Sequence, residues 1–303
     1  MSNPFKALAT LFKAAAVNWF ADSAQTMGAA LAYYTIFSIA PLLLIVIAVA
    51  GTVFGEEAAR GEIQGQLENL LGDSGAAAVR SLLESASPRG GSAPAVVLSV
   101  GLLFVGATTV LAQLQDSLNR IWRVPQGSTR FGLWAWVRRR LLSFGMILCV
   151  GFLLIVSLAF SAGIRALSRW WGADNEAWAA FAGASEVGLR FALATVVFAL
   201  IYKTLPRARI AWRDVWVGAA VTSVLLDTGK FLIGLYIGRG AVSSAFGAAA
   251  SLIVVLLWVY YSAQIFLFGA EFTWVYAHQQ GSRQSTPMPG AVPGPEPTDR
   301  APV

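Results

Sequence analysis

The sequence predicts an all-α, polytopic membrane bundle of about six transmembrane helices. Three observations predict it. Of the 303 residues, 56% are hydrophobic and only 13% charged, about half the charge that covers a soluble domain. The chain contains repeated apolar runs of the length that crosses a bilayer, about 20 residues for about 30 Å of hydrocarbon. Trp134, Trp136, Trp170, Trp171, Trp178, Trp212 and Trp216 fall near the ends of those runs, as an interfacial aromatic belt requires.

Residues 1–26 form the first unit. Asn3 can cap a helix that Pro4 opens, and Phe5, Leu8, Phe12, Ala15 and Trp19 recur at helical spacing with Lys6, Lys13 and Asn18 off the stripe. This pattern predicts an amphipathic helix lying in the membrane interface.

Residues 27–277 form the transmembrane unit, with spans near 27–54, 93–114, 141–164, 183–205, 215–237 and 247–276. Pro41 removes a backbone hydrogen bond inside the first span and predicts a kink or hinge, with Ser38 placed to serve a freed carbonyl. Residues 55–92 differ in character: Glu56, Glu57, Glu62, Glu68, Asp73 and Glu84 accompany Arg60, Arg80 and Arg89. Two stripes, Ile63-Leu67-Leu70-Leu71 and Val79-Leu82-Leu83, are separated by Gly72 and Ser74. Gly72 ends one helix and Ser74 caps the next, which predicts an extracytoplasmic helical hairpin. Residues 278–303 are rich in proline, glycine and polar residues and are expected to be a disordered cytoplasmic tail.

Loop charges orient the bundle. With both termini in the cytoplasm, inner segments hold 14 Lys and Arg residues and outer segments 6, the bias of the positive-inside rule. The net charge of +6 is then an orientation signal with some attraction for anionic lipid headgroups, and no nucleic-acid partner is expected. Cys149 stands alone, which excludes an internal disulfide and a cysteine metal cluster. No short apolar core ending at a small-residue cleavage site precedes the first span, so no cleavable leader is expected.

Enzyme chemistry has little to work with. His278 is the one histidine and sits at the edge of the tail, while a triad needs its base fixed in a pocket. The acids do not gather as a two-metal site requires, and no nucleotide or hydrolase signature is present. No enzymatic activity, cofactor or metal is expected.

Ionisable residues inside spans carry more information, since a charge at the centre of a span costs roughly 2.5–3.5 kcal/mol on insertion scales. Glu186 and Arg190 stand four apart in the fourth span, and Asp227 and Lys230 three apart in the fifth, so each pair shares a helix face. One reading makes them a substrate-binding or conduction site; the other makes them ion pairs that fix helix packing. Glu271, with Gln264 two turns earlier, lies near the inner end of the last span, and Gln25 and Asn119 near the inner ends of the first two. If these ends converge they form a polar vestibule. Gly234 and Gly238 make a GxxxG suited to close packing of two helices or of two protomers.

These residues resemble the YihY/BrkB family of bacterial inner-membrane proteins, formerly labelled ribonuclease BN. The resemblance spans roughly residues 15–277 and rests on Ala32-Tyr33-Tyr34 with Ser38 and Pro41, Leu118-Asn119 with Ile121-Trp122, Tyr202 with Pro206, and Leu257-Trp258 through Ser262 followed by Gly269-Ala270-Glu271. Phe246-Gly247 replaces the Tyr-Gly expected before the last span. The resemblance implies a six-helix inner-membrane protein with cytoplasmic termini and a part in the cell envelope through transport, with lipid as the suspected cargo. The expected function is thus a transporter or lipid-translocating component that meets membrane lipids. The alternative is a scaffold that docks an envelope protein through its outer hairpin.

Overall fold

The computed structural model describes residues 4–86, 93–125, 176–238 and 250–284, with isolated positions at 145, 151–152, 163 and 167. All regular structure among the described residues is helical: α1 Pro4–Ala21, α2 Ala24–Phe54, α3 Glu56–Ala86, α4 Ala93–Ile121, α5 Glu176–Thr204, α6 Trp212–Gly238 and α7 Ala250–Gln279. Among the described residues, four stretches are long and apolar enough to cross a membrane: Ala24–Thr52, Phe181–Thr204, Trp212–Leu232 and Leu252–Gln279. They lie on α2, α5, α6 and α7. The second expected span coincides with α4, which is not among those four, and the third, 141–164, lies outside the described residues.

α7 is the axis of the bundle. It packs against α1, α2, α3, α4 and α6, and α5 joins the bundle through α6. Close approach of α6 and α7 depends on small residues. A Cβ on Gly218 would sit 1.8 Å from Thr273 Oγ1, and one on Gly269 would sit 1.9 Å from Thr222 Oγ1. Side chains cannot overlap at that range, so the two backbones meet where glycine stands. The Gly234-Gly238 pair expected to make this contact has no described side-chain environment.

α1 forms as expected, and Phe12, Ala15 and Trp19 of the expected stripe pack on the bundle. Leu11 and Ala15 are buried, and Phe12 meets Phe268 and Phe272 of α7 at ring-centroid distances of 6.0 and 5.0 Å. Leu8, expected on the packed stripe, is exposed with Val17 and Phe20. The helix therefore seats one edge on the bundle and leaves an apolar flank outward, as an interfacial helix does. Pro41 lies inside α2 without ending it. Ser38 does not serve a freed carbonyl: its buried Oγ has no hydrogen-bond partner.

The expected hairpin is a single helix. Gly55, at φ +87, reverses the chain after α2 and returns its N–H to Gly51 O at 3.0 Å. α3 then continues unbroken through 72–74. Glycine inside a helix costs about 1 kcal/mol against alanine, and the packing of Ile63, Leu67 and Val79 on either side outweighs it. Val79 is fully buried with Val255, and Ile39, Leu43, Leu67, Trp258 and Val259 pack around them. Burying one such side chain is worth about 1.5–3 kcal/mol. The opposite side carries exposed pairs, Arg60 with Glu56 at 2.8 Å and Arg80 with Glu84 at 3.2 Å, each worth under about 1 kcal/mol.

Candidate functional site

Buried polar groups gather at the end of the bundle where the α1–α2 junction, the end of α4, the start of α6 and the second half of α7 meet. Glu271, 1% exposed, lies at the centre. Its carboxyl is within hydrogen-bonding range of the Asp22 carboxyl and in the field of the Arg123 guanidinium. Asp22 Oδ2 and Glu271 Oε1 are both enclosed and receive no donor.

Local structure explains how these groups arrive there. Asp22 ends the α1 turn, with its N–H on Asn18 O at 2.8 Å, and Ser23 follows in the left-handed region at φ 56. That residue lets the chain redirect into α2 within two positions. Arg123 occupies the left-handed site at φ 50 just past α4, where Arg123 N bonds Arg120 O and Val124 N bonds Asn119 O, both at 2.9 Å. This is the Schellman closure, whose left-handed position usually belongs to glycine. A side chain there costs about 1–2 kcal/mol, and what it gains is a guanidinium 4.6 Å from the Trp274 ring centroid.

One turn beyond, Trp274 stacks on His278 at 4.2 Å, and His278 Nδ1 meets Trp274 O at 2.8 Å. His278 is buried rather than loose at the edge of a tail. Residues 280–284 then fold back over this end. Asp214, fully buried in the first turn of α6, accepts Ser282 N at 3.2 Å and Ser282 Oγ at 2.6 Å. Arg283 donates to Arg209 O at 2.6 Å and lies 5.3 Å from the Trp122 ring. The ordered fold therefore extends at least to 284, beyond the expected start of the tail at 278; residues 285–303 lie outside the described residues.

The expected site residues divide among several places. Gln264 reaches α2: its Nε2 donates to Gln25 O at 3.3 Å, and its Oε1 is buried without a partner. Asn119 Oδ1 accepts Arg207 N at 2.9 Å and Gln115 Nε2 donates to Leu205 O at 2.8 Å, so this part of α4 ties down the α5–α6 connection. Lys230 and Asp227 do pair, at 3.1 Å, but their side chains are 38% and 52% exposed. They lie on an outward face of α6 with Val224, Phe231 and Leu232, not in the interior of the described helices. Arg190 is exposed, and the side chain of Glu186 lies outside the described residues. Glu271 and Gln264 therefore stand on one helix with partners from α1–α2, while Asn119 serves a neighbouring connection. A groove of about 310 Å³ between α1 and α7 runs past Thr10, Lys13, Asn18, Trp274 and Gln279.

Asp22, Arg123 and Asp214 were not singled out by the sequence. Charged residues at helix ends are ordinary, and nothing in their spacing sets these apart. The one local signal is Arg123 standing where a helix end favours glycine.

Known proteins match most of the chain. The model of the virulence factor BrkB family covers residues 15–292. A UPF0761 membrane protein of Pseudomonas aeruginosa (strain LESB58) is 30% identical over 255 residues, 82% of this chain and 58% of the relative. That of Azotobacter vinelandii is 30% identical over 262 residues, 84% of this chain and 60% of the relative. That of Alkalilimnicola ehrlichii is 26% identical over 272 residues, 86% and 57% respectively. The chain thus spans somewhat under two thirds of the length of these relatives. No solved structure matches it.

Proposed function

The chain belongs to the BrkB family and is a multi-pass integral membrane protein, and from that premise we propose that it is a transporter or lipid-translocating component of the bacterial inner membrane, with both termini cytoplasmic. The observation that carries the reading is Glu271, an acid sealed inside a membrane-crossing helix and met by Asp22 and Arg123 from two other elements. Ionisable groups in such positions are costly, and an apolar residue of similar volume often packs at less cost, so an acid placed here points to work done on a polar cargo or ion. The groove past Lys13 and Trp274 beside it offers an anionic headgroup a cation and an aromatic edge at the interface. In this reading the protein is not an enzyme.

Reconstituted vesicles test it. Protein-containing liposomes are expected to move a fluorescent anionic phospholipid between leaflets, and Glu271→Gln, eluting as a folded protein, is expected to fall to the rate of protein-free vesicles. Lys230→Ala is expected to retain activity, because that side chain faces outward. Equal rates with and without wild-type protein, across phospholipid headgroups, overturn the proposal. The scaffold alternative has less support, because the α3 stripe that would bind a partner already packs on α2 and α7.

A further inference from the structure

Two carboxylate anions offer only acceptor oxygens to each other, so a hydrogen bond between them exists only with a proton between them. Asp22 and Glu271 stand in that relation, within hydrogen-bonding range, while each encloses an oxygen to which nothing donates. Glu271 is more than nine-tenths buried, so bulk water does not reach it.

Charge balance points the same way. The cation whose field reaches Glu271 is Arg123. Two carboxylates and one guanidinium leave a single negative charge beside the buried Glu271, with Asp22 and Arg123 partly exposed; one added proton makes the trio neutral, the state that burial of Glu271 favours. Calcium and magnesium ask for six or more oxygens, and what meets this pair is a guanidinium lying on an indole ring. Among the described residues the neighbouring charged and titratable groups begin with Lys13 of α1, across the groove from Trp274. His278 follows two turns along α7, Asp214 opens α6, Arg283 folds back from beyond α7, and Tyr202 of α5 donates to Phe266 O at 2.8 Å on the preceding turn.

We propose that Asp22 and Glu271 form a proton-binding site that holds one exchangeable proton between the two carboxyls, with Arg123 as the counter-ion that compensates them when the proton leaves. The left-handed backbone at Ser23 and at Arg123 brings the Asp22 carboxyl and the Arg123 guanidinium to Glu271. In a transporter, the proton taken up and released here is the coupling ion; that use rests on the function proposed above, whereas the binding itself does not.

Infrared spectroscopy of the full chain in lipid nanodiscs reads the proton directly. The wild type is expected to show the C=O stretch of a protonated carboxyl at neutral pH, shifting in D2O. The band should vanish in Glu271→Gln and vanish or move in Asp22→Asn, which carries the test if the first variant fails to fold. A band unchanged in both variants, or no such band in the wild type, overturns the proposal. So does loss of the band on adding sodium chloride at constant pH with release of a proton, which makes the site a cation site. The readouts separate the two claims. A band without lipid movement in vesicles removes the transport reading and leaves the proton site, and pH-independent lipid movement without a band does the reverse.

Discussion

Replacing Gly269 with alanine tests whether α6 and α7 are held by the contact described. The new Cβ would stand 1.9 Å from Thr222 Oγ1 and 2.7 Å from the Tyr202 hydroxyl. Ordinary contact begins near 3.4 Å, so α6 must retreat from α7 by about 1.5 Å or Thr222 must rotate away. Either movement disturbs the hydrogen bond between Tyr202 and Thr222 at 3.0 Å and the one from Tyr202 to Phe266 O at 2.8 Å. Two buried hydrogen bonds are worth about 1 kcal/mol each, and overpacking adds about 1–3 kcal/mol. A loss of about 3–5 kcal/mol follows, on the order of 10 °C in melting temperature. Thermal unfolding of the purified protein in detergent measures it. Gly61→Ala is the control: its Cβ meets nothing within 4 Å, and it should gain up to about 1 kcal/mol from helix propensity. Thr222→Ala in the Gly269→Ala background removes the clashing oxygen and should recover part of the loss, read as a coupling energy in a double-mutant cycle. If Gly269→Ala melts with the wild type, the helices are not in contact there and the reasoning fails.

Other expectations follow from the same geometry. Arg123→Gly relieves a left-handed backbone, worth about 1 kcal/mol, but leaves the buried Glu271 carboxyl without its guanidinium and Trp274 without its cation; the loss of the counter-ion outweighs the relief, so thermal stability should fall, and fall less when Glu271→Gln is already present. Asp214→Ala removes the acceptor of Ser282 N and Oγ and should open residues 280–284 to limited proteolysis near Arg283 without shifting the main melting transition by more than a few degrees. Val79→Asp places an unpaired charge in the seam between α3 and α7 and should cost about 3 kcal/mol or more, seen as loss of the folded peak in size exclusion. Lys230→Ala breaks a pair with both side chains well exposed and should change stability by less than about 0.5 kcal/mol.

Helix positions were legible because apolar length is a strong signal. The runs begun at 27, 183, 215 and 247 appear as α2, α5, α6 and α7, beginning at Ala24, Glu176, Trp212 and Ala250. Faces were less legible. In lipid, an apolar stripe does not mark the core, because the solvent is as apolar as the side chains. α6 shows the result: its buried face carries Asp214, Gly218, Ala219, Thr222 and Ser223, while Val224, Phe231 and Leu232 point outward. Spacing therefore found the Asp227–Lys230 pair without finding its direction. The hairpin was misread for a related reason. Gly72 and Ser74 are local break signals, and the long-range seam of Val79 with Val255 overrides them. Glu271 and Gln264 stood out as polar groups in an apolar run. Asp22 and Arg123 became part of the site only through chain reversals that no periodicity records.

The course of α3 bears on the lipid around the protein. α3 runs back from the C-terminal end of α2, and Val79 reaches a cluster that includes Ile39, some 20 Å down α2 from Thr52 at 1.5 Å per residue. Its outward side presents Arg60, Glu68, Arg80 and Glu84, groups that acyl chains do not solvate. Hydrocarbon against that flank would leave those charges unsolvated, so the exposed side of α3 is a face for water or headgroups rather than for acyl chains.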